Sequence, residues 1–599
     1  MTAVGPATLT PAPVRAPGRP RGRLLLALLA LLACLGVALW VTQGLLRHPS
    51  SVWVGHGGDP TLFVWCLRWV PWALTHGHDP LVTTYLRYPD GANLMWNTSV
   101  PLAGLLLWPV TATLGPIASL NLLALLGYTL SGWCMYLAAR RYVTSWWAAL
   151  AAGLVYELSP FLYTHGYGHF HLVLAFIPPL LLLVGDELLV RQRWSLALVG
   201  GALGGLVAAQ VLLAEELALC EALIATIGAV LLVLLYRSAA GPRWRYALKG
   251  LAVAAAVAVA VLAVPLAVQF LGPDRVHGAI QPPDVYVSDA LAFFVPAPFQ
   301  WHVPGWPRAF AHGYPYTGNA SEWTSYLGVP LVLLLAVVAA RGWRRPIVRV
   351  ASLLLLAAAV LSLGPHLHVA GHVYPGVRLP WRLLQALPIA ENVEPGRLTV
   401  FVDLFAALLL AVFIDAVLRQ PRWAVRLGGL ALAAVALLSY LPGRPLPTGR
   451  VPVPPFFTSS AVTAIPDGGV ALVAPFPSGP YSAGAMLWQA AAGMRFRMPG
   501  GYLVGPAANG RPILGVVPTT TSTTMAAIRA GRPAPPLTPA LRQRLFGDLA
   551  AWRVTAVVVG PTSHQAELVR FFSGLLGRPP TTQGSTYLWF LRDGAAHDG

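Results

Sequence analysis

Long apolar runs separated by short polar connections dominate the first three quarters of the chain. A run of about 20 apolar residues can cross the hydrocarbon core of a bilayer as a helix. The pattern predicts twelve candidate segments. They cover approximately residues 23–46, 100–115, 117–139, 145–163, 169–189, 194–213, 215–236, 247–271, 323–340, 346–364, 398–418 and 423–441.

The N-terminal segment does not have the pattern of a secretory signal. Residues 1–22 are rich in Pro and Arg, which predicts disorder. The run from Arg23 to Leu46 is too long for a signal peptide and lacks a small-residue cleavage site. We therefore expect it to be a first spanning helix that stays in the protein.

The composition supports a polytopic membrane protein. Of the 599 residues, 56% are hydrophobic and 10% are charged, whereas soluble proteins contain about 25% charged residues. This excludes an ordinary soluble enzyme. The four cysteines (Cys34, Cys66, Cys134 and Cys220) have no paired spacing, so neither a disulfide framework nor a zinc site is predicted.

The net charge of +18 could indicate a nucleic-acid partner or the basic cytoplasmic loops of a membrane protein. With twelve spans, the basic residues of the short connections would lie opposite Arg15, Arg19, Arg21 and Arg23, against the positive-inside bias. If residues 101–116, interrupted by prolines, only dip into the outer leaflet, nineteen basic residues fall inside. The sequence thus predicts eleven spans in a cell membrane, a cytoplasmic N-terminus, an extracytoplasmic C-terminus and no nucleic-acid partner.

This topology predicts three domains or regions: the N-terminus 1–22, a transmembrane domain 23–441 and an extracytoplasmic domain 442–599. Outer loops cover residues 47–117, 272–322 and 365–397. The last region has a small α/β pattern. Its predicted buried strands are Gly468–Pro475 and Val554–Gly560, and its predicted helices are Leu541–Trp552 and His564–Leu576.

The first outer loop contains the leading catalytic candidate, Asp59. The run from Thr61 to Thr75 contains three tryptophans, which favours a helix in the membrane interface that holds Asp59 above the bilayer. Such a carboxylate can take a proton from a hydroxyl or coordinate a divalent cation. The alternative is that Asp59 caps the helix, with Pro60 at its first position. Asp79 follows in the same loop as a further candidate.

Histidines and glutamates at the other outer turns are candidates for substrate binding. His165, His169 and His171 lie within seven residues, but the last two would point to different faces of a helix, so donors to an anionic or sugar substrate are favoured over metal ligands. Glu215 and Glu216 lie between two apolar segments without a basic neighbour, where they either face a cavity or reach water in a tight turn.

The later outer loops add Glu322, Arg382 and Arg397. Arg397 begins a span from the outer side, where its guanidinium could grip a lipid phosphate or pair with Glu394. At the opposite side, Asp186-Glu187 with Arg191, and Asp415 with Arg419, are predicted to be charge pairs of the inner surface.

These features together resemble the GT-C superfamily of membrane glycosyltransferases. The points of likeness are the acidic residue in Gly57-Gly58-Asp59-Pro60, the many spans, the outer arginine in Pro395-Gly396-Arg397 and the exported C-terminal domain. Tyr88-Pro-Asp-Gly91 and Asn319-Ala-Ser-Glu322 are similar to segments of uncharacterised bacterial proteins grouped with these enzymes. The resemblance covers about residues 20–440.

The resemblance implies that the chain transfers a sugar from a polyprenyl-phosphate donor to a cell-envelope acceptor at the outer face. The transfer inverts the configuration at the anomeric carbon. The resemblance also implies Asp59 as catalytic base or metal anchor and Arg397 as ligand of the donor phosphate. Many relatives have two adjacent acidic residues where this chain has Asp59 alone. A second carboxylate then comes from Glu215, Glu216 or Glu322, with a divalent cation such as Mg²⁺ or Mn²⁺, or no metal is used. The alternatives are a transporter or flippase of envelope lipids and a non-catalytic envelope-assembly protein.

Overall fold

The structure is a computed structural model that describes residues 20–54, 58–297, 299–300, 318–385 and 390–591. Of the segment 1–22, which the sequence predicts to be disordered, residues 1–19 lie outside the described residues. The described chain divides into two compact units. The first contains residues 1–47, 122–263 and 281–447, and the second contains residues 48–121, 264–280 and 448–599. The sequence did not predict this division, because each unit combines three separate segments; the boundaries at residues 22 and 441 stay predictions.

Within the described ranges, six helices are long and apolar enough to cross a membrane. They are Gly22–Val41, Pro116–Ala139, Phe170–Arg191, Leu196–Leu235, Gly241–Leu271 and Pro395–Leu418. Shorter apolar helices are Val329–Gly342, Pro346–Ser362 and Trp423–Leu438, and Trp146–Glu157 and Pro160–His165 form a broken pair. The mostly helical membrane architecture is confirmed, while the number of eleven spans stays a prediction.

The helical stretch Leu196–Leu235 contains a chain reversal. Its 40 residues include non-helical dihedral angles at Ala214 (φ −158°, ψ 81°). A straight helix of this length would be about 60 Å long, and the eight residues that follow could bridge only about 28 Å. Yet Gln192 Nε2, before the stretch, donates to the carbonyl oxygen of Arg243, after it, at 2.9 Å. The two halves therefore run antiparallel from a turn at Ala214, where the sequence predicted it.

One end of the first unit carries a network of arginines and acids. Asp186 Oδ2 accepts a hydrogen bond of 2.7 Å from Arg141 Nε, and Arg191 Nε lies 2.7 Å from the same oxygen as an ion pair. Asp415 pairs with Arg419 and also accepts from the backbone N–H of Ser145 at 2.7 Å. The two predicted charge pairs are present, while their position at the inner surface stays a prediction. The helix Thr399–Leu418 rises about 30 Å from the turn that contains Arg397 to this network, which is about the thickness of a hydrocarbon core.

The segment predicted to dip into the membrane forms two short helices in the second unit, Pro101–Leu106 and Trp108–Leu114. Pro109 lies in the first turn of the second helix, and Gly115 ends it with a positive φ of 87°. Helices of six and seven residues are about 10 Å long and cannot cross a bilayer. This agrees with the predicted shallow position.

The C-terminal part of the second unit is built on a four-stranded sheet. Its strand order is Thr581–Gln583, Thr586–Phe590, Val554–Val559 and Val470–Ala474. The last two strands are parallel, and the other pairs are antiparallel. Helices Thr520–Arg529, Pro539–Ala551 and Gln565–Leu576 contribute to its core. The two predicted strands and two predicted helices are present.

Smaller elements complete the described chain. Two-stranded antiparallel ladders pair Val52–Val54 with Thr448–Arg450, Val82–Thr83 with Ala92–Asn93, His366–Val369 with His372–Arg378, and Val504–Pro506 with Pro512–Leu514. Short α-helices are Gln43–Leu46, Arg237–Ala240, Trp381–Leu384, Pro455–Thr458 and Gly484–Ala491.

The tryptophan-rich helix of the first outer loop differs from its prediction. It covers Gly58–Thr75 and we call it the first-loop helix. Trp65 and Trp69 are buried inside the second unit rather than exposed to a membrane interface. Trp65 Nε1 donates to Gln489 Oε1 at 2.5 Å, because the helix packs against Gly484–Ala491. The interfacial position predicted for these two indoles is wrong.

Candidate functional site

A buried cluster of ionisable side chains surrounds Arg397 in the first unit. Arg397 lies in the turn Pro395–Leu398, which leads into the helix Thr399–Leu418. Its guanidinium contacts the carboxyl groups of three glutamates. Nε lies 3.2 Å from Glu216 Oε1, Nη2 lies 2.5 Å from Glu394 Oε2, and Nη1 contacts Glu322. The structure therefore brings together Glu216, Glu322 and Arg397, which were separate candidates in the sequence.

Two histidines complete this Arg397 cluster. His169 Nδ1 lies 2.9 Å from Glu322 Oε1. His165 Nδ1 lies 2.8 Å from the carbonyl oxygen of Phe161, which can only accept, so this nitrogen carries the proton. His165 Nε2 is then an acceptor and receives a hydrogen bond from Arg397 Nη1 at 2.9 Å. Burial lowers the pKa of His165 to about 4, which agrees with a neutral ring.

The glutamates of the cluster differ in their affinity for protons. Burial favours the neutral form of Glu322, but the Arg397 guanidinium outweighs it and holds the pKa of Glu322 well below its usual range. For Glu394, burial dominates, and the neighbouring Glu216 and Glu322 add to it, so its pKa rises to about 8 despite Arg397. At neutral pH the cluster therefore contains Arg397, ionised Glu322 and protonated Glu394.

Three of these side chains have the arrangement of a metal site. The ligand atoms of His165, His169 and Glu322 all lie within 4.8 Å of one another. Two imidazole nitrogens and one carboxylate oxygen form a donor set that suits divalent transition-metal ions. The sequence indicated the histidines but not this combination, because Glu322 lies more than 150 residues away. His171, the third histidine of the motif, is buried and is not part of this group.

Glu215 lies beside Glu216 immediately after the chain reversal at Ala214, and both side chains are partly buried. Glu216 Oε1 lies 3.2 Å from Arg397 Nε. The turn therefore orients one of the two predicted glutamates into the cluster.

Asp59 belongs to the second unit. The first-loop helix already begins at Gly58, so Asp59 lies inside its first turn rather than at a cap position. The positive end of the helix dipole stabilises a carboxylate there. Asp59 Oδ1 accepts a hydrogen bond of 2.7 Å from the hydroxyl of Tyr502. Asp79, the other candidate in this loop, is exposed and accepts from the backbone N–H of Leu81 at 2.8 Å.

Arg382 belongs to a different polar group of the first unit. It is exposed, and its Nη1 lies 3.5 Å from His366 Nε2. His366 Nδ1 in turn lies 3.0 Å from Asp284 Oδ2. Asp284 also lies 3.5 Å from His368 Nε2. The structure therefore places Arg382 in a polar group with His366 and Asp284, and its role in substrate binding stays a prediction.

Sequence reasoning missed Tyr502 and Asp284 as partners and weighed Glu394 only as an alternative partner of Arg397. The spacing of three residues between Glu394 and Arg397 was a usable signal. No local signal links Tyr502 to Asp59, because 443 residues separate them.

Comparison with known proteins gives one family and several solved structures. Residues 27–440 match the family described as "Domain of unknown function (DUF6311)". No curated protein matches the sequence. The chain is similar to the mycobacterial arabinofuranosyltransferase AftD, with 15% identity and a TM-score of 0.49 over 98% of this chain and 40% of that one.

Two further structures are similar to the chain. ArnT from Cupriavidus metallidurans bound to undecaprenyl phosphate has 16% identity and a TM-score of 0.37, covering 70% of this chain and 64% of that one. The oligosaccharyltransferase AglB from Archaeoglobus fulgidus, in complex with an inhibitory peptide and a dolichol-phosphate, has 13% identity and a TM-score of 0.41, covering 90% and 69%. These three structures are GT-C glycosyltransferases, the class that the sequence resembles. At these identities and TM-scores they assign neither substrate nor activity to this chain.

Proposed function

The chain belongs to the DUF6311 family, a family described as a domain of unknown function, and we propose that it is a membrane glycosyltransferase. It transfers a sugar from a polyprenyl-phosphate donor to a cell-envelope acceptor at the outer face of the membrane, with inversion at the anomeric carbon. The observation that carries this proposal is the buried Arg397 cluster, which lies one membrane thickness from the arginine-rich end of the first unit.

The orientation follows from the positive-inside bias. The network of Arg141, Arg191 and Arg419 marks the cytoplasmic side. The Arg397 cluster then faces the outer leaflet, where lipid-linked sugars are used in the enzyme class that the sequence resembles. With this orientation we propose eleven spans, a cytoplasmic N-terminus and an exported C-terminal region.

Asp59 is our candidate for the catalytic base. It takes the proton of the acceptor hydroxyl, whose oxygen forms a bond to the anomeric carbon while the bond from that carbon to the phosphate oxygen breaks. The electron pair of the broken bond leaves with the phosphate. Attack opposite to the leaving group inverts the configuration. The hydrogen bond from Tyr502 fixes the orientation of the Asp59 carboxylate.

The geometry changes the role that we assign to Arg397. A phosphate that approached its guanidinium would meet the carboxylates of Glu216, Glu322 and Glu394, which already occupy its donors. We therefore propose that Arg397 is a positioning residue that holds the glutamates in place. The binding of the donor phosphate, predicted for Arg397 from the resemblance, requires another cationic group.

His165, His169 and Glu322 would hold a divalent cation at this place. Two nitrogen donors favour Mn²⁺ or Zn²⁺ over Mg²⁺, which prefers oxygen. Such an ion would supply positive charge to a bound anionic group. The residues of the chain fix its position: Phe161 orients the ring of His165, and Arg397 orients Glu322.

A transfer assay in liposomes tests the proposal. The full chain is reconstituted with a polyprenyl-phosphate-linked, radiolabelled sugar and an envelope extract as acceptor. We expect transfer by the wild type, a loss of about 10- to 100-fold in Glu322→Gln because the cation site is weakened, and normal transfer in Glu391→Gln, a control in the neighbouring loop. Equal activity of Glu322→Gln and the control would contradict a catalytic role of the cluster.

Transport is the second candidate function, and one observation favours it. Glu157, Glu221 and Asp403 are buried within apolar helices, and ionisable residues at membrane depth often mark ion or proton pathways. Asp403 has a structural explanation, because it accepts from the N–H of Phe161 (3.2 Å) and from the hydroxyl of Tyr440 (3.1 Å). Proton-coupled uptake into liposomes that is lost in Glu157→Gln would favour the transporter.

A further inference from the structure

The first-loop helix carries an arginine, Arg68, for which the described residues supply no counter-charge. Arg68 is half-buried, and its Nε is buried without a hydrogen-bond partner among the described residues. The described chain gives it no ion pair. Burial lowers the pKa of Arg68, and no carboxylate of the described residues offsets this effect. Partial burial removes some of the hydration of the guanidinium, so an external anion would stabilise it.

Arg68 lines a cavity of about 100 Å³ in the second unit. One water needs about 10–15 Å³, so the cavity admits a larger group. Trp72 and His76 lie one and two turns after Arg68 on the same face of the helix, and their rings stack at 4.4 Å. Trp108, at the start of the short helix Trp108–Leu114, also lines the cavity. The cavity thus combines one arginine with the rings of Trp72, His76 and Trp108 and the hydroxyl-bearing side chains of Thr75 and Thr111. This setting suits an anionic headgroup.

The surface next to this cavity is apolar and exposed. Leu105, Leu106 and Leu114 flank Trp108 in the sequence and are 46%, 68% and 61% exposed. They belong to the two short helices that the sequence predicts to dip into the outer leaflet. A cation beside exposed leucines matches the amphipathic profile of a lipid, whose headgroup is charged and whose chains are apolar.

We propose that the cavity binds the phosphodiester of an anionic phospholipid. Arg68 donates to the phosphate oxygens, Trp72 and Trp108 flank the headgroup, and the acyl chains lie along the exposed leucines. A phosphodiester carries a single negative charge, which one guanidinium neutralises. A phosphate monoester carries about −1.5 to −2 at pH 7, so a polyprenyl phosphate would leave unpaired charge in this cavity.

This lipid site is separate from the proposed catalytic base. Arg68 lies nine positions after Asp59, which is about two and a half turns of helix. The two side chains therefore project from opposite faces of the first-loop helix. A lipid bound at Arg68 anchors the helix that carries Asp59, without supplying the sugar that Asp59 acts on.

Native mass spectrometry of the full chain in detergent tests the lipid site without any transfer reaction. The probes are dioleoyl phosphatidylglycerol, a phosphate-free galactosyl diacylglycerol and a polyprenyl monophosphate. We expect the wild type to prefer phosphatidylglycerol over both other lipids. Arg68→Gln should weaken the binding of phosphatidylglycerol about tenfold, since hydrogen bonds to charged groups are lost. Arg68→Lys, which keeps the charge, should lose less.

Arg544→Gln is the matched control, because Arg544 is an exposed arginine of the same unit, and it should bind phosphatidylglycerol as the wild type does. The proposal is overturned if Arg68→Gln binds like this control, if the galactolipid binds as tightly as phosphatidylglycerol, or if the polyprenyl monophosphate binds more tightly than both. A protein that transfers no sugar but shows the expected lipid preference would contradict only the proposed function.

Discussion

At the scale of single residues, the Arg397 cluster shows how a chain with few charged residues gathers several of them in one buried place. Only 10% of the residues are charged, yet Arg397 meets three glutamates in one buried place. The sequence identified Glu216, Glu322 and Arg397 by one argument: an ionisable residue in an apolar context needs a partner or a cavity. It could not predict that they partner one another, because no spacing connects Glu216, Glu322 and Arg397 along the chain.

Replacing Arg397 should destabilise the protein. Arg397→Ala would leave buried carboxylates without their cation, which typically costs about 3–5 kcal/mol. We expect a clear fall in the thermal midpoint of the purified protein, and a smaller one for Arg397→Lys. Arg382→Ala, at an exposed arginine, is the control. If Arg397→Ala loses transfer activity but keeps the midpoint of the wild type, Arg397 is a substrate ligand rather than a positioning residue.

The raised pKa of Glu394 makes a prediction for the pH dependence of stability. A carboxyl group with a pKa of about 8 in the folded state and about 4.3 when unfolded favours folding in its protonated form. That contribution is present at low pH and decreases as the pH rises from about 4.3 to about 8. Glu394→Gln removes the titration. Its thermal midpoint relative to the wild type should therefore increase between pH 6 and pH 9, and a constant difference would refute the assignment.

At the scale of elements, apolar periodicity predicted the helices but not what covers them. The reversal at Ala214 and the two strands and helices of the C-terminal region were predictable from local patterns. The burial of Trp65 and Trp69 was not. An apolar helix face packs equally well against lipid or against another part of the protein, and its partner here, Gly484–Ala491, lies more than 400 residues away.

The helix after residue 195 provides a test of helix packing with a matched pair of glycines. A Cβ on Gly200 would lie 2.7 Å from the carbonyl oxygen of Gly250, whereas Gly201 faces open space. Gly200→Ala should destabilise the protein by about 1–3 kcal/mol. Gly201→Ala should stabilise it by about 0.5–1 kcal/mol, because alanine favours helix. Equal unfolding free energies of the two variants would contradict the packing of these helices.

At the scale of the whole molecule, the class of protein followed from composition, but the division into units did not. Hydropathy and the distribution of arginines predicted a membrane protein with two different ends, and the described helices and charge networks agree. The second unit, however, joins the first outer loop with the C-terminal region. Such long-range association depends on packing between segments that no local pattern records.

The proposed orientation can be measured in intact cells. All four native cysteines are buried, so cysteines introduced at the surface can be labelled selectively. We expect a membrane-impermeant maleimide to label a Tyr481→Cys variant, at a position 87% exposed in the C-terminal region. An Arg344→Cys variant, in an arginine-rich connection, should be labelled only after the membrane is permeabilised. The reverse labelling pattern would contradict the proposed orientation and indicate the opposite topology.

The central claim is sugar transfer with Asp59 as the base, and Asp59→Asn tests it most directly. Asparagine keeps the size of the side chain and a hydrogen-bond partner for Tyr502 but cannot take a proton at neutral pH. In liposomes with labelled lipid-linked sugar, we predict transfer by the wild type and by Asp467→Asn, an exposed control. Asp59→Asn should lose about 100-fold or more of this activity. Full transfer by Asp59→Asn would contradict the account.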